Sequence, residues 1–158
     1  MIDFFSDDSR LTLGDAVAAI LQLQDGRYIL QHRDDIAGIW YPNTWGCFGG
    51  GCDPTETPLT AIRRELEEEI GFTPSQLKPF CSLNFDMSDA GFRIFYRRYY
   101  HAVIANEQFE NIRLGEGNAF AAFSAGQFNR EVILTPYDNF ALLLHSKRKT
   151  VTLSEAIT

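Results

Sequence analysis

Glu65, Glu67, Glu68 and Glu69 fall within five consecutive positions, behind the run Gly49-Gly50-Gly51 and a Thr57-Pro58 pair. On a helix that turns about 100° per residue, Leu59, Ile62, Leu66 and Ile70 share one stripe. Glu65, Glu68 and Glu69, at i, i+3 and i+4, gather on one flank of that stripe, and Glu67 points elsewhere. Like charges at this spacing repel by about a few tenths of a kcal/mol per pair on an exposed helix, and more when partly buried. They also occupy the last turns, where the helix dipole disfavours anions. A surface built only for solubility would scatter such charges among lysines. A bound divalent cation offsets the repulsion, and an all-oxygen ligand set completed by water and a substrate phosphate suits Mg²⁺, or Mn²⁺.

The elements that must position these acids can be read around them. Thr57 is a good N-cap, Pro58 suits the first helical position, and Gly71 is a stop, so a helix is expected from Pro58 to Ile70. Upstream, residues 14–33 read as a hairpin turning at Asp25-Gly26, followed by a loop, "WYPNTWGCFGGG", that ends in a short strand. Downstream, 77–86 and 92–105 read as strands around a turn at "SDAG", and "NAFAAFS" as another strand. "PYDNFALLLHSKRK" has the spacing of a terminal helix with a basic last turn. Strands interleaved with two helices on opposite faces imply an α/β sandwich.

Composition limits what this chain does. At 158 residues and 45% hydrophobic it suits one domain with one buried core. The net charge of −7 argues against wrapping a nucleic-acid polymer, so a phosphate ligand must be held by something other than net charge. The opening "MIDFFSDDSR" has neither a basic start nor a long apolar run, so no secretory signal or membrane span is expected. Cys47, Cys52 and Cys81 are odd in number and lack metal-site spacing, which fits buried or incidental thiols in a reducing, cytoplasmic setting.

The stretch fits Gly-x5-Glu-x7-Arg-Glu-U-x-Glu-Glu-x-Gly-U, with U a bulky apolar residue, through Gly50, Glu56, Arg64, Glu65, Leu66, Glu68, Glu69, Gly71 and Phe72. A chance fit in a chain this long is on the order of one in ten million, which outweighs a merely solvated acidic face. The stretch resembles the Nudix box of the MutT-like Nudix hydrolases. That resemblance implies an α/β/α sandwich with a mixed β-sheet, a box over residues 50–72 in one domain, and metal-dependent cleavage of a nucleoside diphosphate linked to another group. It implies Glu65, Glu68 and Glu69 as metal ligands with the carbonyl of Gly49, and Arg64 with Glu56 bracing the helix. Gly50 and Gly71 are the glycines that shape the box.

A diphosphate linkage is protected by its own anionic oxygens, so the site needs cations and a positioned, deprotonated water. Two residues are candidates for the base. Glu68 lies in the box, and Glu116 stands in a glycine-flanked loop resembling the position of an extra glutamate in some members; Glu110 is a weaker third. Arg33 resembles a position that reaches substrate phosphate. Asp138 and Asn139, at the entrance of the last helix, are candidates for reading the base, against the simpler role of an acid favoured by the helix dipole. Arg97, Arg98 and His101 lie near the cleft or face water. Trp40, Tyr41, Trp45 and Phe48 either stack on substrate or close the core. The expected substrate is a small nucleotide, either a nucleoside triphosphate or a nucleotide sugar. The proline that marks ADP-ribose enzymes is absent from "SLNFDMSD", and no coenzyme A pattern is found upstream. A homodimer is left open. Two other functions are weighed: a catalytically silent nucleotide-binding sensor, and an interaction protein with an exposed patch of Trp40, Tyr41 and Trp45.

Overall fold

The computed structural model describes residues 14–148 apart from 87, 92 and 129; the opening segment read above for targeting signals, and Phe92, lie outside them. Strand β1 (Ala16–Leu23) alternates its side chains between two faces. Val17, Ala19, Leu21 and Leu23 join one apolar cluster, and Ala18 and Ile20 join the other. Every one of these six is at most 2% exposed, so β1 is sealed on both faces, as the middle layer of a three-layer sandwich must be.

The β1–β2 hairpin closes over Asp25, whose carboxylate accepts from the Arg27 amide at 3.0 Å, and leads into β2 (Tyr28–His32). The sheet is mixed: β1 runs antiparallel to β2 and parallel to β5 (Phe95–Ile104), and β4 (Lys78–Phe85) pairs antiparallel with β5. One edge of β2 is shared, with β1 taking Tyr28 and Ile29 and the two-residue β3 (Trp45–Gly46) taking Gln31 and His32. Strand β6 (Ala119–Phe123) covers the other edge of β2 along its whole length.

The parting of β1 from β2 positions the site. Where the two strands separate, β1 bonds to the glycine loop instead, its Val17 and Ala19 amides donating to the carbonyls of Gly50 and Phe48 at 2.9 and 2.8 Å. Gly49 is thus held between the two.

Helix α1 (Pro58–Ile70) starts and ends as expected, with Thr57 Oγ1 accepting from the Thr60 amide at 3.2 Å and Gly71 in the left-handed conformation at φ 78°. Its buried residues are Ala61, Ile62, Leu66, Glu69 and Ile70, whereas Leu59 is 40% exposed. The buried stripe therefore begins one turn later than the spacing predicts. Helix α4 (Pro136–Lys147) packs Ala141 and Leu142 against the other face, completing the α/β/α sandwich. Two short helices that the sequence patterns did not reveal, α2 (Asn106–Glu110) and α3 (Ala125–Phe128), flank β6. Among the described residues no helix is long and apolar enough to cross a membrane.

Candidate active site

The box loop and the flank of α1 meet because Gly50 has no side chain. A Cβ there would lie 2.6–2.7 Å from the carboxylate of Glu65, so any larger residue would displace that acid. Arg64 then fixes the flank. Its guanidinium grips Glu56 through two bonds, Nε to Oε1 at 2.8 Å and Nη2 to Oε2 at 2.9 Å. Nη1 donates to Glu65 at 2.8 Å and Glu68 at 3.2 Å, and Nη2 also reaches the carbonyl of Gly51 at 3.1 Å. A planar fork suits this task where a lysine would not. The hydrogen bonds from Arg64 hold the Glu56 carboxyl down to about 2.

The three flank acids differ in burial. The Glu68 side chain is 56% exposed and Glu65 13%, and Glu69 is 3% exposed as a residue. Burial raises the Glu65 pKa from its ordinary value against the opposing pull of Arg64. Burial pushes Glu69 up to about 8, opposed by a 2.6 Å hydrogen bond from the Gly49 amide and assisted by the charges of Glu65 and Glu116. Its other carboxylate oxygen accepts from Gln31 Nε2 at 3.3 Å. Among the described residues no ion pair reaches Glu69.

Glu69 opens onto a cleft of about 680 Å³ whose walls include Arg33, Gly49, Gly50 and Glu116. Arg33 is anchored by a 3.0 Å bond from Nε to the carbonyl of Trp40. The loop bearing Glu116 lies against the end of α1, with the Gly115 amide donating to the Glu69 carbonyl at 2.9 Å. A Cβ on Gly115 would collide with the carbonyl of Glu68. Glu116 itself is exposed and faces the cleft, whereas Glu110, the last residue of α2, is not part of its wall. Gln31 also lines the cleft and was not anticipated from the sequence; the available signal was a glutamine at an inward position of an otherwise apolar strand.

Carboxylates and a backbone carbonyl are the donors that hard divalent cations prefer. As the side chains stand, no three acidic or other metal-binding side chains among the described residues converge on one point. Glu65 and Glu68 lean on Arg64, while Glu69 leans on Gly49. The donor chemistry fits a divalent cation all the same, because Glu69 is buried without a countercharge and Glu68 and Glu116 are exposed acids free of tight packing.

Residues 12–140 match the family described as the NUDIX domain. The chain belongs to the Nudix family. The nucleoside triphosphatase NudI of Escherichia coli (strain K12 / DH10B) is 43% identical over 47 residues, 30% of this chain and 33% of NudI. The likeness therefore spans about a third of such relatives. Among solved structures, the MutT protein of Methanosarcina mazei Go1 superposes with a TM-score of 0.67 at 17% identity, over 89% of this chain and 100% of that one. The NUDIX domain of Shewanella oneidensis NrtR, complexed with ADP ribose, gives 0.66 at 17% identity over 92% and 94%. These likenesses share the Nudix fold.

On the far face of the Nudix sheet, the expectation for Asp138 needs correction. Asp138 is 1% exposed and its lone pairs are taken: Oδ2 accepts from the Cys47 amide and Thr135 Oγ1, both at 2.9 Å, and Oδ1 from Tyr99 OH at 2.9 Å and Arg97 Nε at 3.1 Å. A carboxylate so engaged has nothing left for a base edge; it ties β3, β5 and α4 together. Asn139 is exposed, and neither residue lines the cleft that holds Glu69. Arg97 is nearly buried, stacked 4.7 Å over the ring of Tyr137, and Arg98 lies over Tyr96. His101 packs on His145 with ring centroids 4.4 Å apart. Phe48 is fully buried, and Trp45, partly buried like Trp40 and Tyr41, packs with the α4-side cluster, so Phe48 and Trp45 help close the core.

Proposed function

We propose that the protein is a metal-dependent pyrophosphohydrolase that cleaves the diphosphate linkage of a nucleoside triphosphate, with a nucleotide sugar as the next substrate class. The observation that carries this is Glu69: a carboxylate buried without a countercharge, at the wall of a polar cleft, on a helix flank whose other acids Arg64 holds in place. The nucleoside triphosphatase activity named for NudI supports the choice of substrate.

Glu65, Glu68, Glu69 and the carbonyl of Gly49 would hold Mg²⁺ or Mn²⁺, which neutralises the diphosphate oxygens when bound. Arg33 faces the same cleft and binds phosphate there. A water oxygen attacks one phosphorus, and the bond from that phosphorus to the bridging oxygen breaks. Glu116 accepts the water's proton; being exposed, it moves to the water more easily than Glu68, which is bonded to Arg64. Arg64 and Glu56 touch no substrate and act by positioning the flank.

The test is purified protein with Mg²⁺ or Mn²⁺ against nucleoside triphosphates and nucleotide sugars, with products identified. A nucleoside monophosphate and pyrophosphate from a triphosphate is the expected result. Tight binding of a nucleotide without turnover would replace this reading with that of a silent sensor.

A further inference from the structure

The inward face of β2 should be apolar. Ile29 on that face is fully buried in the α1-side core, and Gln31, two residues on, is 5% exposed. A buried amide is costly unless its hydrogen bonds are made. The Gln31 amide nitrogen makes two: 2.9 Å to the carbonyl of Glu116 and 3.3 Å to Oε1 of Glu69. The Glu116 carbonyl can only accept, so the NH₂ group must face it, and the reverse orientation would set oxygen against oxygen.

We infer that Gln31 is a positioning residue that ties the loop carrying Glu116 to the carboxylate of Glu69, so that base and buried ligand keep one spacing. The inference rests on the catalytic roles proposed above for those two glutamates. Four bonds hold the loop among the described residues: Gly115 N to the Glu69 carbonyl at 2.9 Å, Asn118 N to the His32 carbonyl at 2.8 Å, Asn118 Nδ2 to the Arg33 carbonyl at 3.3 Å, and the Gln31 bond between these ends. The first three fix the ends to backbone. Only the Gln31 side chain also touches a carboxylate of the site. The approach is close on both sides, since a Cβ on Gly117 would lie 2.9–3.0 Å from the Gln31 side chain and 2.8 Å from the His32 carbonyl.

Gln31→Met keeps length and volume while removing both donors. In the metal-free protein, amide exchange across residues 115–118 should quicken about fivefold, with exchange in α1 unchanged. With metal and substrate, kcat should fall about tenfold at unchanged KM. In a Glu116→Gln background the same substitution should cost less than twofold, because there is no longer a base to misplace. Gln31→Leu, a second apolar side chain without the donors, should reproduce the faster exchange and the loss of kcat. Unchanged exchange in both variants overturns the tether, and so does an equal loss of kcat with and without Glu116, the mark of a merely structural residue. A wild-type protein that hydrolyses nothing sinks the proposed activity, and the exchange measurement still decides whether Gln31 holds the loop.

Discussion

Each long helix buries one carboxylate against the sheet, Glu69 from α1 at 3% exposure and Asp138 from α4 at 1%, and the two are furnished in opposite ways. Asp138 receives four donors, one of them the guanidinium of Arg97. Glu69 receives two, an amide from the box loop and an amide from Gln31. A buried charge is tolerable when it is paired and fully hydrogen-bonded, and otherwise the group holds its proton. Asp138 is complete as folded and locks three elements together. Glu69 has two donors and no countercharge among the described residues, and that incompleteness is the ground on which we propose a cation for it.

Removing either charge tests the contrast. Glu69→Gln should lower turnover roughly a thousandfold or more, as expected when a group aimed at developing charge is lost. Melting in metal-free buffer should hold, because the amide still serves the Gly49 donor without carrying a buried charge. A variant that unfolds instead would show Glu69 to be as structural as Asp138. Asp138→Ala should do the reverse, costing about 3–5 kcal/mol in urea unfolding by stranding Arg97, with kcat per folded molecule nearly intact. A stable Asp138→Ala protein with an altered purine-to-pyrimidine ratio in kcat/KM would return base reading to that residue. Mg²⁺ at a hundred times its dissociation constant should add about 2.7 kcal/mol of stability by mass action, and Glu69→Gln should abolish the gain. A melting temperature indifferent to Mg²⁺ and Mn²⁺ in the wild type would erase the difference between the two carboxylates.

The two carboxylates also differ in how far they could be read from sequence. The pattern that marks Glu69 is local, although its donors Gly49 and Gln31 are not: Thr57, Pro58 and Gly71 delimit the helix, the i, i+3, i+4 spacing gathers the acids, and Arg64 lies within eight residues of Glu56. Short-range patterns carry such features. The partners of Asp138 come from 41 residues away at Arg97 and 91 at Cys47, separations at which no periodicity links one side chain to another. Gln31 and Glu116 meet for a like reason, through the pairing of β6 with the free edge of β2. Leu59 fits the apolar spacing of α1 and is nonetheless 40% exposed, since helical spacing alone does not encode which turn meets the sheet. Helices α2 and α3, at five and four residues, are too short for a 3.6-residue period to show.

The contrast extends to the pH dependence of stability, where the helices again pull in opposite directions. The raised pKa of Glu69, about 8, means that above 4.5 the unfolded chain gives up a proton the fold retains, so stability declines as pH rises through that window. On α4 the buried group that titrates is His145, held down to about 3 by burial first and then by His101 and Arg148; Tyr28 OH and Arg148 meet its Nδ1 at 3.0 and 2.8 Å, and the Phe80 ring packs against it. Below 6.5 the unfolded chain takes up a proton that the folded imidazole refuses, so stability declines as pH falls toward 3. Without metal, these two groups place the maximum between 4.5 and 6.5. Saturating Mg²⁺ competes with the proton on Glu69 and should flatten the alkaline limb while leaving the acid limb in place. His145→Phe should flatten the acid limb alone. Urea unfolding from pH 3 to 9, with and without Mg²⁺, reads both limbs; an alkaline limb that ignores Mg²⁺ would mean that the cation does not meet Glu69.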